Sequence, residues 1–353
     1  MSLTAITPYG PTGASSRVRV LGWFKRFDAP KTVHSYLGAA NASPRTLLAR
    51  APEVWRAERA LRALEVSDAT LFLHREASPL SSGHLESQLL RRARHSVYDF
   101  DDALQWDVRH GLRSLGAKHL KAERSVRAAD VVVAGSDLLA DLASRFAREV
   151  HLVPSCVEPA DYLQKVRFDV GAGPIIGWVG SPSTEKYQRL LELPLLALHE
   201  RLGARLLVVS AGQATLGALD PMVDRVPWAA ATVGPVMTSF DVAIAPLPAE
   251  LYARGKCAYK IVQYAAAALP IVGSAVGANR LVLGRLGAGA ATDEQDWITQ
   301  LTDIVTASPQ DRASMGATAR RAVEQHYSFA AWQDTMGGLL GLSPHAASAS
   351  SHA

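Results

Sequence analysis

Residues 240–272 read FDVAIAPLPAELYARGKCAYKIVQYAAAALPIV. Phe240 to Ala245 is a short apolar run closed by Pro246-Leu247-Pro248, the pattern of a buried strand that stops where prolines end the ladder. Lys256 to Ala268 then reads as a helix, and Ile271 to Ser274 as a second buried strand. Strand, helix and strand in succession describe a crossover unit, which requires a parallel sheet covered on both faces. Lys256 and Lys260 stand four apart and share one face of that expected helix. Two like charges at this spacing disfavour an isolated helix unless an anion neutralises both. Because the rest of the helix is apolar, its N-terminal end is where a diphosphate would be held.

The same alternation extends in both directions. Towards the N-terminus, strands are expected at 5–7, 32–37, 69–73, 96–100, 130–134 and 150–153, with helices over 15–27, 44–64, 85–93, 112–128 and 136–147. Residues 160–173 read as a connector, after which the pattern restarts: strands at 174–179 and 205–210, and helices over 183–202, 297–305 and 313–326. The fold class is therefore α/β, two doubly wound Rossmann-like domains facing a central cleft. The divisions fall at 1–165, 170–325, a last helical segment 326–342 and a disordered tail 343–353 (SPHAASASSHA).

Composition narrows the function. A chain of 353 residues that is 48% hydrophobic and 20% charged is globular rather than disordered or fibrous. Two cysteines, Cys156 and Cys257, make neither a disulfide framework nor a zinc cluster and fit a reducing compartment. The opening MSLTAITPYG lacks the basic and apolar regions of a secretory signal, so a cytoplasmic location is expected. Residues 261–279 are uncharged over the length of a membrane span, but Gln263, Pro270, Gly273 and Gly277 mark them as helix, turn and strand. The net charge of +4 divides unevenly. Residues 1–165 hold 23 Lys and Arg against 18 Asp and Glu, and the remainder 14 against 15. With no nucleic-acid-binding motif present, this excess points to a solvated surface or to an anionic partner, a membrane touched peripherally or an acidic substrate.

In open α/β sheets, ligands collect outside the carboxyl ends of the strands. Four segments lie there: 8–16, 99–102, 180–186 and 246–260. In Gly177-Trp-Val-Gly180-Ser-Pro-Ser-Thr184-Glu-Lys186, small residues after a buried strand let backbone N–H groups approach an anion, with Thr184 and Lys186 as further donors. The segment matches neither a P-loop nor the dinucleotide fingerprint, so it also fits a plain strand-to-helix turn. The Asp99-Phe-Asp101-Asp102 cluster fits acid–base chemistry, a hard cation or a helix cap.

The segments 240–248, 255–266 and 268–272 resemble the donor-site region of GT-B glycosyltransferases of family 4, as do Val131–Ser136 and Val153-Pro154. The resemblance runs from Ile6 to about Tyr327. It implies a retaining transferase that takes a sugar from a nucleotide-diphosphate donor, UDP- or GDP-linked, without a required cofactor or metal. It also implies that the last helices cross back to the first domain. Lys186 stands six positions after Gly180, where the family places a diphosphate lysine. The arginine often found after that glycine is Ser181 here. The family's Glu-x7-Glu pair falls on Gly255 and Gln263, so both carboxylates are missing and the Gln263 amide is left to meet a ribose hydroxyl. Lys256 and Lys260 take the phosphate role. The histidine the family often carries after its fourth strand is replaced by the acidic cluster, in which Asp101 matches best.

The expected catalytic residues are thus Asp101, Asp102, Lys186 and Lys260. Donor binding falls to Gly180, Ser181, Thr184, Lys186, Trp228, Lys256, Lys260 and Gln263, with Trp228 either stacked on the base or simply buried. Gly13, His74, Asp99 and Pro248 are expected to line the acceptor, which is a small natural product or a free or lipid-linked glycan. A nucleotide-sugar epimerase and a non-catalytic nucleotide-binding relative are the rival readings.

Overall fold

A computed structural model of the chain describes residues 2–11, 13–38, 44–103 and 118–342. The start of the expected helix at 112–128 and the tail 343–353 lie outside the described residues. Two compact units are present, one formed by Met1–Pro154 together with the chain from Trp332 onward, the other by Ser155–Ala331.

The first unit holds six parallel strands: β1 Ser2–Thr7, β2 Lys31–Ser35, β3 Ala69–His74, β4 His95–Phe100, β5 Val131–Ala134 and β6 Val150–Leu152. Their order is β2-β1-β3-β4-β5-β6. Every residue of β3 is buried, as a strand covered on both faces demands. The second unit repeats the plan with β7 Ile175–Val179, β8 Arg205–Ser210, β9 Val223–Pro227, β10 Val242–Ala245, β11 Ile271–Ser274 and β12 Gly289–Ala291. Here the order is β12-β11-β10-β7-β8-β9. Each sheet reverses its winding once, between β1 and β3 in the first unit and between β7 and β10 in the second. Ligands of doubly wound sheets bind at the carboxyl ends beside such a reversal.

The expected helices differ in three instructive places. The run 44–64 is two helices, Pro44–Ala49 and Ala51–Arg62, because Arg50 leaves the helical region at φ −115°, ψ 31°, so that Pro52 falls in a first turn, where its missing N–H costs nothing. The run 183–202 is a 3-10 helix, Pro182–Leu191, followed by an α-helix, Glu192–Leu202, whose first turn accommodates Pro194. The helix expected from Lys256 begins only at Tyr259, because Ala258 adopts the left-handed conformation, φ +52°. Lys256 therefore lies in the preceding loop, and the two lysines do not share a helical face.

Residues 261–279 run through the helix Tyr259–Ala266, the strand β11 and the start of the helix Ala278–Leu286. Among the described residues, no helix is long and apolar enough to cross a membrane. The helix Phe329–Leu339 ends against the first unit, where the His95 ring Nε2 lies 2.8 Å from the Leu339 carbonyl oxygen.

Candidate active site

The second unit builds its site at the reversal between β7 and β10. Gly177 in β7 is pressed by the Phe240 ring, which lies 2.0 Å from where a Cβ would stand, so only glycine fits. The Tyr264 hydroxyl accepts the Val179 backbone N–H at 2.8 Å and so ties the helix Tyr259–Ala266 to the end of β7. Directly after β7, a Cβ on Gly180 would meet the Trp178 ring at 2.3 Å and Lys260 Cε at 2.9 Å. The structure thus brings Gly180 and Lys260 together, across 80 positions of sequence. The ammonium of Lys260 lies 5.5 Å from the centre of the Trp178 ring. Lys186 projects from the 3-10 helix, exposed, with its ammonium 5.7 Å from the Tyr187 ring centre.

The remaining donor candidates occupy the same end of the sheet in varied states. Ser181 and Thr184 bond each other, the Thr184 hydroxyl donating to the Ser181 carbonyl at 3.1 Å. Lys256 packs its ammonium 5.0 Å from the Tyr252 ring centre. Gln263 donates its amide to the Tyr162 hydroxyl at 3.1 Å rather than standing open to a ribose. Trp228 follows β9 and is 38% exposed, so of the two expectations for it the buried one is overturned. Pro248 lines a pocket of about 570 Å³ at the carboxyl ends of β10, β11 and β12, with Arg254, Arg280 and Trp297.

Sequence reading missed the support beneath Lys186. Glu185 is fully buried, and Arg225 of β9 donates to its Oε2 at 3.1 Å and to the Ala214 carbonyl. Gln188, one 3-10 turn on, is buried beside it in sequence register, as side chains three apart eclipse in this helix. The Glu185–Arg225 pair anchors the segment from below while Lys186 stays outside.

In the first unit, the acids at the end of β4 are enclosed by arginines. Asp99 and His74 are directly opposite in the β3–β4 register, and the His74 Nδ1 lies 2.6 Å from Asp99 Oδ2. Arg19 donates through Nε to the same oxygen at 3.2 Å, through Nη2 to Asp99 Oδ1, and through Nη1 to the Val153 carbonyl at 2.8 Å. All three side chains are buried. Arg19 comes from Arg17–Leu21, a π-helical stretch between two short α-helical turns, Ala14–Ser16 and Gly22–Phe24. Gly13 closes the preceding turn through its N–H to the Gly10 carbonyl at 2.9 Å.

Asp101 and Asp102 are both held by Arg75, through Nε and Nη2 at 2.5 Å each. Arg75 itself sits at φ +60°, a strained backbone fixed by its N–H to the Asp99 carbonyl and its own carbonyl to the Tyr98 hydroxyl. Asp101 Oδ1 also lies 3.8 Å from His74 Nε2. Among the described residues, no group of three or more His, Cys, Asp or Glu is placed to hold a metal ion.

Burial alone would raise the Asp101 carboxyl, but the adjoining Arg75 charge outweighs it and holds the group well below the usual carboxylate range. The folded form therefore releases its proton more readily than the unfolded chain. The pair's contribution is complete above about pH 4 and is lost as the pH falls further. Arg75→Met should shift acid unfolding, followed by circular dichroism, to higher pH. An unmoved transition would show that the pair does not stabilise the fold.

Residues 173–307 match the family model described as glycosyl transferases group 1. No curated protein matches the chain in sequence. Among solved structures, Anabaena Alr3699/HepE in complex with UDP and glucose superposes with a TM-score of 0.67 at 14% identity, covering 97% of this chain and 99% of that one. Trehalose-6-phosphate from E. coli bound with UDP-2-fluoro glucose gives 0.65 at 13%, covering 97% and 100%. An alpha,alpha-trehalose-phosphate synthase (UDP-forming) from Burkholderia vietnamiensis gives 0.65 at 12%, with 97% and 100% covered. Residues 173–307 are thus similar to a group 1 glycosyltransferase domain, and the chain has the GT-B fold of these structures. In this glycosyltransferase architecture the matched region contains the whole β7–β10 reversal, with Gly180, Lys186, Lys256, Lys260 and Gln263.

Proposed function

We propose that the chain transfers a sugar from a UDP- or GDP-linked donor to a hydroxyl of a small-molecule or glycan acceptor, with retention at the anomeric carbon and without a metal. The observation that carries this reading is Lys260 folded against Gly180 at the carboxyl end of β7, with Lys186 on the segment that follows. In the reaction the bond from C1 to the diphosphate oxygen breaks, a bond from C1 to the acceptor oxygen forms, and the acceptor's hydroxyl proton passes to the departing diphosphate oxygen. Negative charge grows on the departing nucleoside diphosphate. Fixed cations aimed at that charge lower the barrier more than any effect on the bound donor would. Lys260 and Lys186 supply it, and the backbone of Gly180–Thr184 assists. The likeness to chains solved with UDP, UDP-glucose and UDP-2-fluoro glucose supports a nucleotide-sugar donor.

In the first unit, Asp101 suits orienting an acceptor hydroxyl better than deprotonating it. A base works best with a pKa near the operating pH, and Arg75 holds Asp101 far below that. Asp99, buried and occupied by Arg19 and His74, positions the strand ends instead of touching substrate. A non-catalytic nucleotide-binding role is favoured by one observation, the engagement of Gln263 with Tyr162 at the position where a carboxylate is missing.

Thermal-shift titration with UDP, GDP, ADP and dTDP decides the donor class. One nucleotide should stabilise the chain, by about 2.7 kcal/mol at a hundred times its Kd. Stabilisation by none of the four sinks the donor assignment. Binding without sugar release under every donor and acceptor tried supports the non-catalytic role.

A further inference from the structure

We propose that the helical segment 44–62 of the first unit, together with the basic end of the helix His84–Arg92, is a docking surface for an anionic lipid bilayer. This goes beyond the transfer reaction and does not rest on it.

The helix Ala51–Arg62 turns Leu61 into the core and Glu58 towards the first unit, where Glu58 accepts the Tyr36 hydroxyl at 2.9 Å and the Ser78 hydroxyl. Its outward stripe is Pro52, Trp55, Arg59 and Arg62, spaced by three or four residues, with Arg56 beside Trp55, all exposed. Trp55 is 62% exposed and Leu48 on the preceding helix 79%, values far from those of a residue that folding alone requires. The Arg59 guanidinium lies 5.5 Å from the Trp55 ring centre, so cation and ring form one unit at the surface.

The charge extends beyond this helix. Arg92 donates to the Leu64 carbonyl at 3.1 Å, which sets the exposed Arg91, Arg92 and Arg94 beside its C-terminal end. Residues 44–65 and 91–94 hold eight arginines and three glutamates. All three glutamates are paired, Glu53 with Arg50, Glu58 with Arg62 and Glu65 with Arg92, and the excess of arginine over glutamate remains five. Arginine forks suit phosphate head groups, and an exposed tryptophan and an exposed leucine on the preceding helix suit the boundary between head groups and acyl chains. A purely polar polyanion would use the arginines and leave Leu48 and Trp55 idle. The anionic bilayer uses both.

The full chain should be sedimented with vesicles of phosphatidylcholine and with vesicles of equimolar phosphatidylcholine and phosphatidylglycerol. Binding is expected only to the second, weakening as salt rises. Arg56→Gln with Arg59→Gln should lower the partition coefficient roughly thirtyfold. Leu48→Ser with Trp55→Ser should lower it as well. Circular dichroism establishes that both variants fold, since all four side chains are exposed. Equal binding to the two vesicle types, or binding to neither, overturns the proposal. Binding that follows the arginines but ignores Leu48 and Trp55 also overturns it, because the surface is then a general polyanion contact.

Discussion

Changing Lys260 to alanine should cut turnover at saturating donor by roughly 10²–10³-fold, the loss seen when one preorganised donor to a developing negative charge is removed. The residue is second in the helix Tyr259–Ala266 and half-buried, and its Cε lies beside Gly180. Shortening it opens space next to Trp178 without placing a new charge in the core, so the fold should survive. Lys260→Arg keeps the charge but replaces a compact ammonium with a planar fork, and should recover only part of the rate. The split between constants carries the information. A fall in turnover with nearly unchanged KM means that Lys260 meets charge formed during the reaction, whereas a rise in KM alone means it only holds the donor. A loss smaller than about tenfold would remove Lys260 from the transition state.

Arg19→Met should destabilise the first unit by about 3–5 kcal/mol, the penalty for leaving one member of a buried ion pair without the other. The side chains of Arg19 and Asp99 are 1% and 0% exposed, so water cannot replace the lost guanidinium. Its bonds to both Asp99 oxygens and to the Val153 carbonyl go with it. Methionine fills most of the volume, which keeps a cavity from dominating the measurement. Adding Asp99→Asn removes the stranded charge and should restore part of the denaturant midpoint. A single-variant loss no larger than that of an exposed ion pair, about 1 kcal/mol, would mean the network is ornamental.

Much of the fold was legible because central strands of parallel sheets are continuous apolar runs. In the first unit β3 and β5 stand where such runs occur, whereas the edge strands β2, KTVHS, and β6, VHL, are not doubly buried. The two strands missed in the second unit are edges: β9, VDRVP, carries two charges, and β12, GAA, has only small residues. Neither has the doubly buried pattern that betrays a central strand. Lys186 is put forward by its distance to Gly180 and Lys260 by the apolar helix it opens, and the structure places Lys260 against Gly180. Lys256 was misplaced because nothing in Lys-Cys-Ala-Tyr announces an alanine at positive φ. The pairing of Arg19, Arg75 and Arg225 with acids was invisible, since their partners lie 80, 26 and 40 positions away and no local spacing joins them.

The division of the chain has a consequence for its synthesis. The donor unit is one unbroken stretch, Ser155–Ala331, whereas the first unit is assembled from both ends of the sequence. Strand β4 receives its contact with Leu339 through His95, a residue made 244 positions earlier. A ribosome therefore delivers every strand of the first sheet and then the whole donor unit before supplying the helix that finishes the first. During that interval the arginine-bound acids are already in the emerged chain, but the unit bearing them is still open at one side.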